Sequence, residues 1–109
     1  MTLNEYQLAA LQTATYDHEK YGILYTALGL NGEAGEVADK VKKVLRDNNG
    51  EFTDERKEAI ALELGDTLWY VAMCAREIGM TLEEIAEKNN EKLRSRAERN
   101  VLGGSGDYR

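Results

Sequence analysis

From Leu30, the apolar residues Ala34, Val37, Val41 and Leu45 follow at intervals of three or four, the period of a helix that turns one face inward. This stripe predicts a helix from about Tyr21 to Asp47, stopped by the turn signal Asn48-Asn49-Gly50. A shorter helix precedes it, from about Asn4 to Tyr16, where Leu3, Leu8, Leu11 and Ala14 repeat at roughly helical spacing. The third starts near Asp54, a good N-cap, and ends at Gly79, a residue suited to the left-handed position after a helix. The fourth opens on Thr81-Leu82-Glu83-Glu84, a capping box, and runs to about Asn100. No Pro interrupts any of them. The expected class is all-α, with one domain over residues 1–102 and a Gly-rich loop or flexible tail over 103–109.

The charges are more informative than the stripes. From Ala59 to Ala75 the only charged residues are Glu63 and Asp66, and apolar side chains surround the helix on nearly all sides, which predicts burial. From Ile23 to Ala38 the only charges are Glu33 and Glu36. Within each pair the spacing of three places both carboxylates on one face, a turn apart. Acids on amphipathic helices ordinarily face water. Two pairs, each isolated in a long uncharged segment, point instead to a site. Ionised carboxylates in a low-dielectric interior are costly without a positive partner, and these windows contain no Lys or Arg. A bound cation meets that need, and all-oxygen ligands select Mg²⁺ first and Mn²⁺ second. A di-iron carboxylate site would need Glu-x-x-His motifs, and the single His18 lies in none.

Composition narrows the partners. A net charge of −6 disfavours a sequence-independent grip on a nucleic-acid polymer, while leaving a small anion bridged by metal. Cys74 has no second cysteine to pair with and reads as a buried thiol. No signal pattern or membrane-spanning apolar run occurs, so a cytoplasmic location is the default expectation.

The segment from Gly29 through Glu33 and Glu36 to Lys43, the segment Glu63-Leu-Gly-Asp66-Thr-Leu-Trp-Tyr70, and the segment Asn89-Asn-Glu-Lys92-Leu-Arg-Ser-Arg96 occur in that order. Together they resemble the three motifs of the MazG-like all-α nucleoside triphosphate pyrophosphohydrolases. The resemblance covers roughly residues 20 to 100. It implies a four-helix-bundle-like domain, Mg²⁺ held by Glu33, Glu36, Glu63 and Asp66, and hydrolysis of a nucleoside triphosphate to the monophosphate and pyrophosphate. It also implies substrate contacts from Asn89, Lys92 and Arg96. Their physical chemistry agrees, since they share a helix face and offer an amide, a point charge and a two-pronged donor to a polyphosphate.

Lys40 and Lys43 follow Glu36 by one and two turns, and Lys43 is a second candidate for phosphate oxygens. Tyr70 shares a face with Glu63 and suits a sugar or base contact. Trp69 points elsewhere, with Leu62 and Met73, and is expected in the core or at a subunit interface. Gly29, Gly32 and Gly35 lie along one edge, either for close approach of a helix or phosphate or for a local break. The expected reaction is attack of water at the α-phosphorus, with Glu36 as the candidate acceptor of the water's proton. Two alternatives are a related hydrolase acting on another diphosphate linkage, such as phosphoribosyl-ATP, and a non-catalytic, metal-stabilised helical interaction module. Base choice is assigned to the first helix and to Tyr16–Tyr25, where Asn4, Gln7, Tyr16 and His18 carry suitable groups. An apolar third helix with few neighbours predicts a homodimer or homotetramer.

Overall fold

Four helices and no strand make up the computed structural model, which describes residues 1–109: α1 (Leu3–Leu11), α2 (His18–Asp47), α3 (Asp54–Glu77) and α4 (Leu82–Glu98). Local capping chemistry sets most of the boundaries. Thr2 and Thr81 each form a complete capping box, with Glu5 and Glu84 respectively. α3 is capped by Thr53 rather than by Asp54, which instead lies in the first turn, where its charge suits the helix dipole. α1 stops at Leu11, well short of Tyr16. The Thr13 hydroxyl donates to the Ala10 carbonyl, a local bond that competes with helix, and Asp17 then caps α2 three residues earlier than the stripe suggested. The turn after α2 places Asn49 and Gly50 at positive φ, and Gly79 does the same after α3.

α2 and α3 form a long antiparallel hairpin, and α2 packs on no other helix. α1 and α4 pack on α3 and on each other. The inward line of α2 passes through Thr26, Leu30, Val37, Val41 and Val44, while Ala34 and Leu45 of the expected stripe face out. Only Ala10, Ala72, Met73 and Leu82 make up the buried apolar cluster, edged by Tyr6, Leu11, Ala14, Trp69 and Val71. α1 is fastened by polar clamps. Gln7 donates to the carbonyls of Ala72 and Met80 and accepts from the Leu82 amide, all within 3.1 Å. Asn4 exchanges two hydrogen bonds with Glu83. Both side chains are therefore occupied in joining α1 to the α3–α4 turn, and neither is free to read a base.

The expectation that α3 is buried on all sides does not hold within one chain. Only Ala72, Met73 and Ala75 are buried, and Leu62, Leu64 and Leu68 are exposed because α2 covers a single side of the N-terminal half. The radius of gyration of 16.7 Å exceeds the roughly 13 Å of a compact chain of this length. No helix is long and apolar enough to cross a membrane.

Candidate metal centre and nucleotide pocket

The hairpin brings the two acidic motifs face to face. Glu33 of α2 and Glu63 and Asp66 of α3 converge so that one carboxylate oxygen of each lies within 4.8 Å of the others. The one cation in ion-pair range is Lys40, whose ammonium is 3.7 Å from Glu63. Burial pushes the Glu33 carboxyl above its ordinary range, and the nearby charges of Asp66, Glu63 and Glu36 push it further. The donor set is all oxygen and under-neutralised, so these residues fit a hard divalent cation. Glu36 is exposed and outside the converging three, although its charge is felt at Glu33.

A cavity of about 440 Å³ opens beside the cluster, lined by Thr13, Tyr25, Glu33, Asp66, Trp69 and Tyr70. Tyr70 lines this cavity, and Gly29 explains how it fits: a Cβ at Gly29 would occupy the Tyr70 ring. Gly29 thus serves close approach, whereas Gly32 and Gly35 face open space and α2 runs unbroken past all three. Trp69, expected in the core or at a subunit interface, packs at the edge of the core and also faces the carboxylate cavity. Its indole N–H donates to Thr13 at 2.9 Å, its ring meets Tyr70 edge-on at 4.9 Å, and it lines the same cavity as the carboxylates. It lies off the Glu63 face but three positions from Asp66, which is one face of a helix. Met73, expected beside it at an interface, is wholly buried in the core. Cys74 is half-buried rather than enclosed.

The third motif is not brought to this cluster. Arg96 is buried and donates to the carbonyls of Gly106 and Asp107, while Lys92 pairs with the Asp107 carboxylate at 3.3 Å. The tail is thereby folded back on α4, and Arg109 closes it by donating to Leu102, Gly103 and Gly106 carbonyls. Asn89 lines a separate, mostly apolar cavity of about 520 Å³ between α3 and α4, which contains no carboxylate. Lys43 is held by Asp39 at 2.7 Å, and together with Lys42 it lowers the Asp39 carboxyl to about 2.

Tyr25 closes the segment to which the sequence assigns base choice, whereas Thr13 and the partner of His18 carry no local signal. Glu77 accepts from the Tyr16 hydroxyl at 2.8 Å and from His18 at 2.7 Å. Tyr16 and His18 therefore bond inward to α3 rather than displaying free groups to a base.

Comparison with known proteins agrees with the motif order. The chain is 45% identical to the Gene 37 protein of Mycobacterium phage L5 over 114 aligned positions that span the whole of both chains. No solved structure matches. The MazG nucleotide pyrophosphohydrolase domain matches residues 22–101, a span that contains all three motifs and most of the chain. The chain therefore belongs to the MazG nucleotide pyrophosphohydrolase family and is an enzyme of that type.

Proposed function

We propose that the substrate is a nucleoside triphosphate, cleaved to the monophosphate and pyrophosphate, with Mg²⁺ as cofactor and Mn²⁺ as a substitute. The observation that carries this reading is the convergence of Glu33, Glu63 and Asp66, with little positive charge among them, beside an aromatic cavity that Glu33 and Asp66 help to line. Glu33, Glu63 and Asp66 are the residues that would hold the cation, with Glu36 adjoining them. When bound, the cation supplies Lewis acidity and charge neutralisation at the phosphates. Glu36, exposed one turn from Glu33, is placed to accept the proton of the attacking water. As the new P–O bond forms at the α-phosphorus, the bond to the bridging oxygen breaks and pyrophosphate leaves. Lys40, already beside Glu63, is better placed than Lys43 to meet a phosphate oxygen. Tyr25, Trp69 and Tyr70 offer ring faces and edges to the base, and stacking of this kind is worth about 1–3 kcal/mol.

The active species in this reading is a homodimer or homotetramer. Leu24, Leu28 and Leu62 are each about two-thirds exposed or more on the hairpin, apolar surface that a second copy would cover. A second copy also offers Asn89, Lys92 and Arg96 a route to the phosphates that one chain does not. Sedimentation giving a single 12.2 kDa species with full activity would exclude it. The reaction itself is tested with all eight common NTPs and dNTPs, with and without Mg²⁺, separating the products. Monophosphate and pyrophosphate from at least one of them is the expected result. Diphosphate with orthophosphate, or no turnover of any, refutes the proposal.

A further inference from the structure

Behind the cavity's aromatic wall lies a polar network that no step of the proposed reaction uses. Tyr16 stacks on Tyr25 with ring centroids 4.7 Å apart and 17° between planes, and presents an edge to Trp69 at 6.4 Å. Tyr25 and Trp69 line the cavity and Tyr16 does not. The Tyr16 hydroxyl is fixed by Glu77, whose side chain is only 9% exposed. His18 holds the same carboxylate oxygen through Nδ1, and its Nε2 meets the Ala14 carbonyl at 3.0 Å. Both partners are acceptors, an arrangement that favours the doubly protonated ring. Arg76 adds a second cation 3.7 Å from Glu77. On α2, Gly22 makes room for this carboxylate, which a Cβ at that position would strike.

Apolar side chains of similar volume would hold these helices together at least as well as a nearly buried ion pair. What they would lack is direction. A hydrogen bond to the phenol fixes where the Tyr16 ring lies, and that ring backs a tyrosine that is itself 44% exposed on α2. Without Tyr16, Tyr25 would lose the ring stacked on it and Trp69 the ring that meets it at 79°.

We propose that Tyr16, locked by Glu77 and His18, is a positioning residue for the nucleobase, acting through Tyr25 and Trp69. The inference rests on the reading of the cavity as the base pocket. It predicts that the network governs how well the base is held and leaves the phosphate end untouched.

Trp69 is the only tryptophan, so its fluorescence reports the wall directly. The test titrates the wild-type protein, Tyr16→Phe and Tyr25→Leu with dAMP, dCMP, dGMP and dTMP, and separately measures inhibition by pyrophosphate. Tyr16→Phe keeps the ring and loses the anchor. Tyr25→Leu removes the stacked ring and leaves the buried carboxylate alone, so a folding defect in one variant does not excuse the other. In both, monophosphate quenching of Trp69 should weaken and KM for the best triphosphate should rise about 3–10-fold, the size of one aromatic contact. Inhibition by pyrophosphate should be unchanged, and kcat should move less than KM. Equal losses of monophosphate and pyrophosphate binding would mean that the network merely supports the fold, and unchanged quenching in a folded Tyr16→Phe would mean that it positions nothing; either result overturns the proposal. If Trp69 in the wild type responds to no monophosphate, the base-pocket reading falls first, and this inference with it.

Discussion

Two acidic sites within the same hairpin are treated in opposite ways. Burial alone would raise the Glu77 carboxyl, yet hydrogen bonds from His18 and Tyr16, helped by the charges of His18 and Arg76, hold it below its ordinary value. At Glu33 burial also raises the carboxyl, and every charge that adds to the shift is another acid. Glu77 is a carboxylate whose needs the chain meets internally. Glu33, Glu63 and Asp66 form a cluster that the chain assembles and leaves short of positive charge, with one lysine to three acids. A satisfied acid maintains structure, and an unsatisfied one costs stability until something external binds.

If that contrast is right, substitutions at the two sites should have opposite signatures. The largest effect is expected for Glu63→Gln and Glu36→Gln, each of which should cut Mg²⁺-dependent turnover at least about 100-fold, since even outer groups of a metal site are worth 10- to 100-fold. Their folds should persist, and melting of the apo protein should not fall, because like-charge repulsion is relieved. Near-normal turnover of both at saturating Mg²⁺ would remove the carboxylate site from the mechanism.

The second effect is thermodynamic linkage. Mg²⁺ at a hundred times its Kd should add about 2.7 kcal/mol of stability to the wild type, read as a rise in Tm. The rise should shrink sharply in Glu33→Gln and stay whole in a Glu77 variant. An equal Mg²⁺ response in all three would show that the ion binds elsewhere.

Much of this was legible in the sequence, and what escaped has a common cause. Helix identity followed from the apolar period, and the α2–α3 and α3–α4 turns from glycines and the Thr81 capping box, because those signals act within a few residues. Glu33, Glu63 and Asp66 were visible because isolated charges in apolar segments are rare. Glu77 was not, since it sits beside Arg76 near a helix end and resembles an ordinary surface acid; its partners Tyr16 and His18 are about sixty residues away. Gln7 and Asn4 were open to misreading for the same reason, their partners lying across the fold on the α3–α4 turn. Trp69 lies off the Glu63 face but one helix turn from Asp66, so its place in the cavity wall follows from Asp66 and not from Glu63. Lys92 and Arg96 stood out by motif, but nothing local announced that the tail would fold back on them.

The third effect concerns the satisfied acid. Glu77→Gln keeps the volume and removes the charge, weakening the bonds from Tyr16 and His18. Tm should fall by roughly 5–10 °C, the equivalent of one or two kcal/mol in a domain of this size. A Tm unchanged or raised, as expected for the other acidic site, would erase the distinction between them.

The smallest effect is the pH dependence of that network. His18 has its folded pKa raised above 6.5, first by the hydrogen bond to Glu77 and then by the one to the Ala14 carbonyl. Its contribution to stability is therefore fully present below 6.5 and is lost as pH rises through the raised value. Glu77 has its folded pKa lowered below 4.5, so its contribution is fully present above 4.5 and is lost as pH falls through the lowered value. Between those two ordinary values the pair contributes in full. The imidazole side chain is about one-third exposed, so solvent and salt screen the effect and keep it small. Melting at a series of pH values should show a shallow loss of Tm on the alkaline side, reduced in 1 M NaCl and absent in His18→Gln. An identical alkaline decline in His18→Gln would place the titrating group elsewhere, and a Tm that rises through this range would reverse the sign assigned to His18.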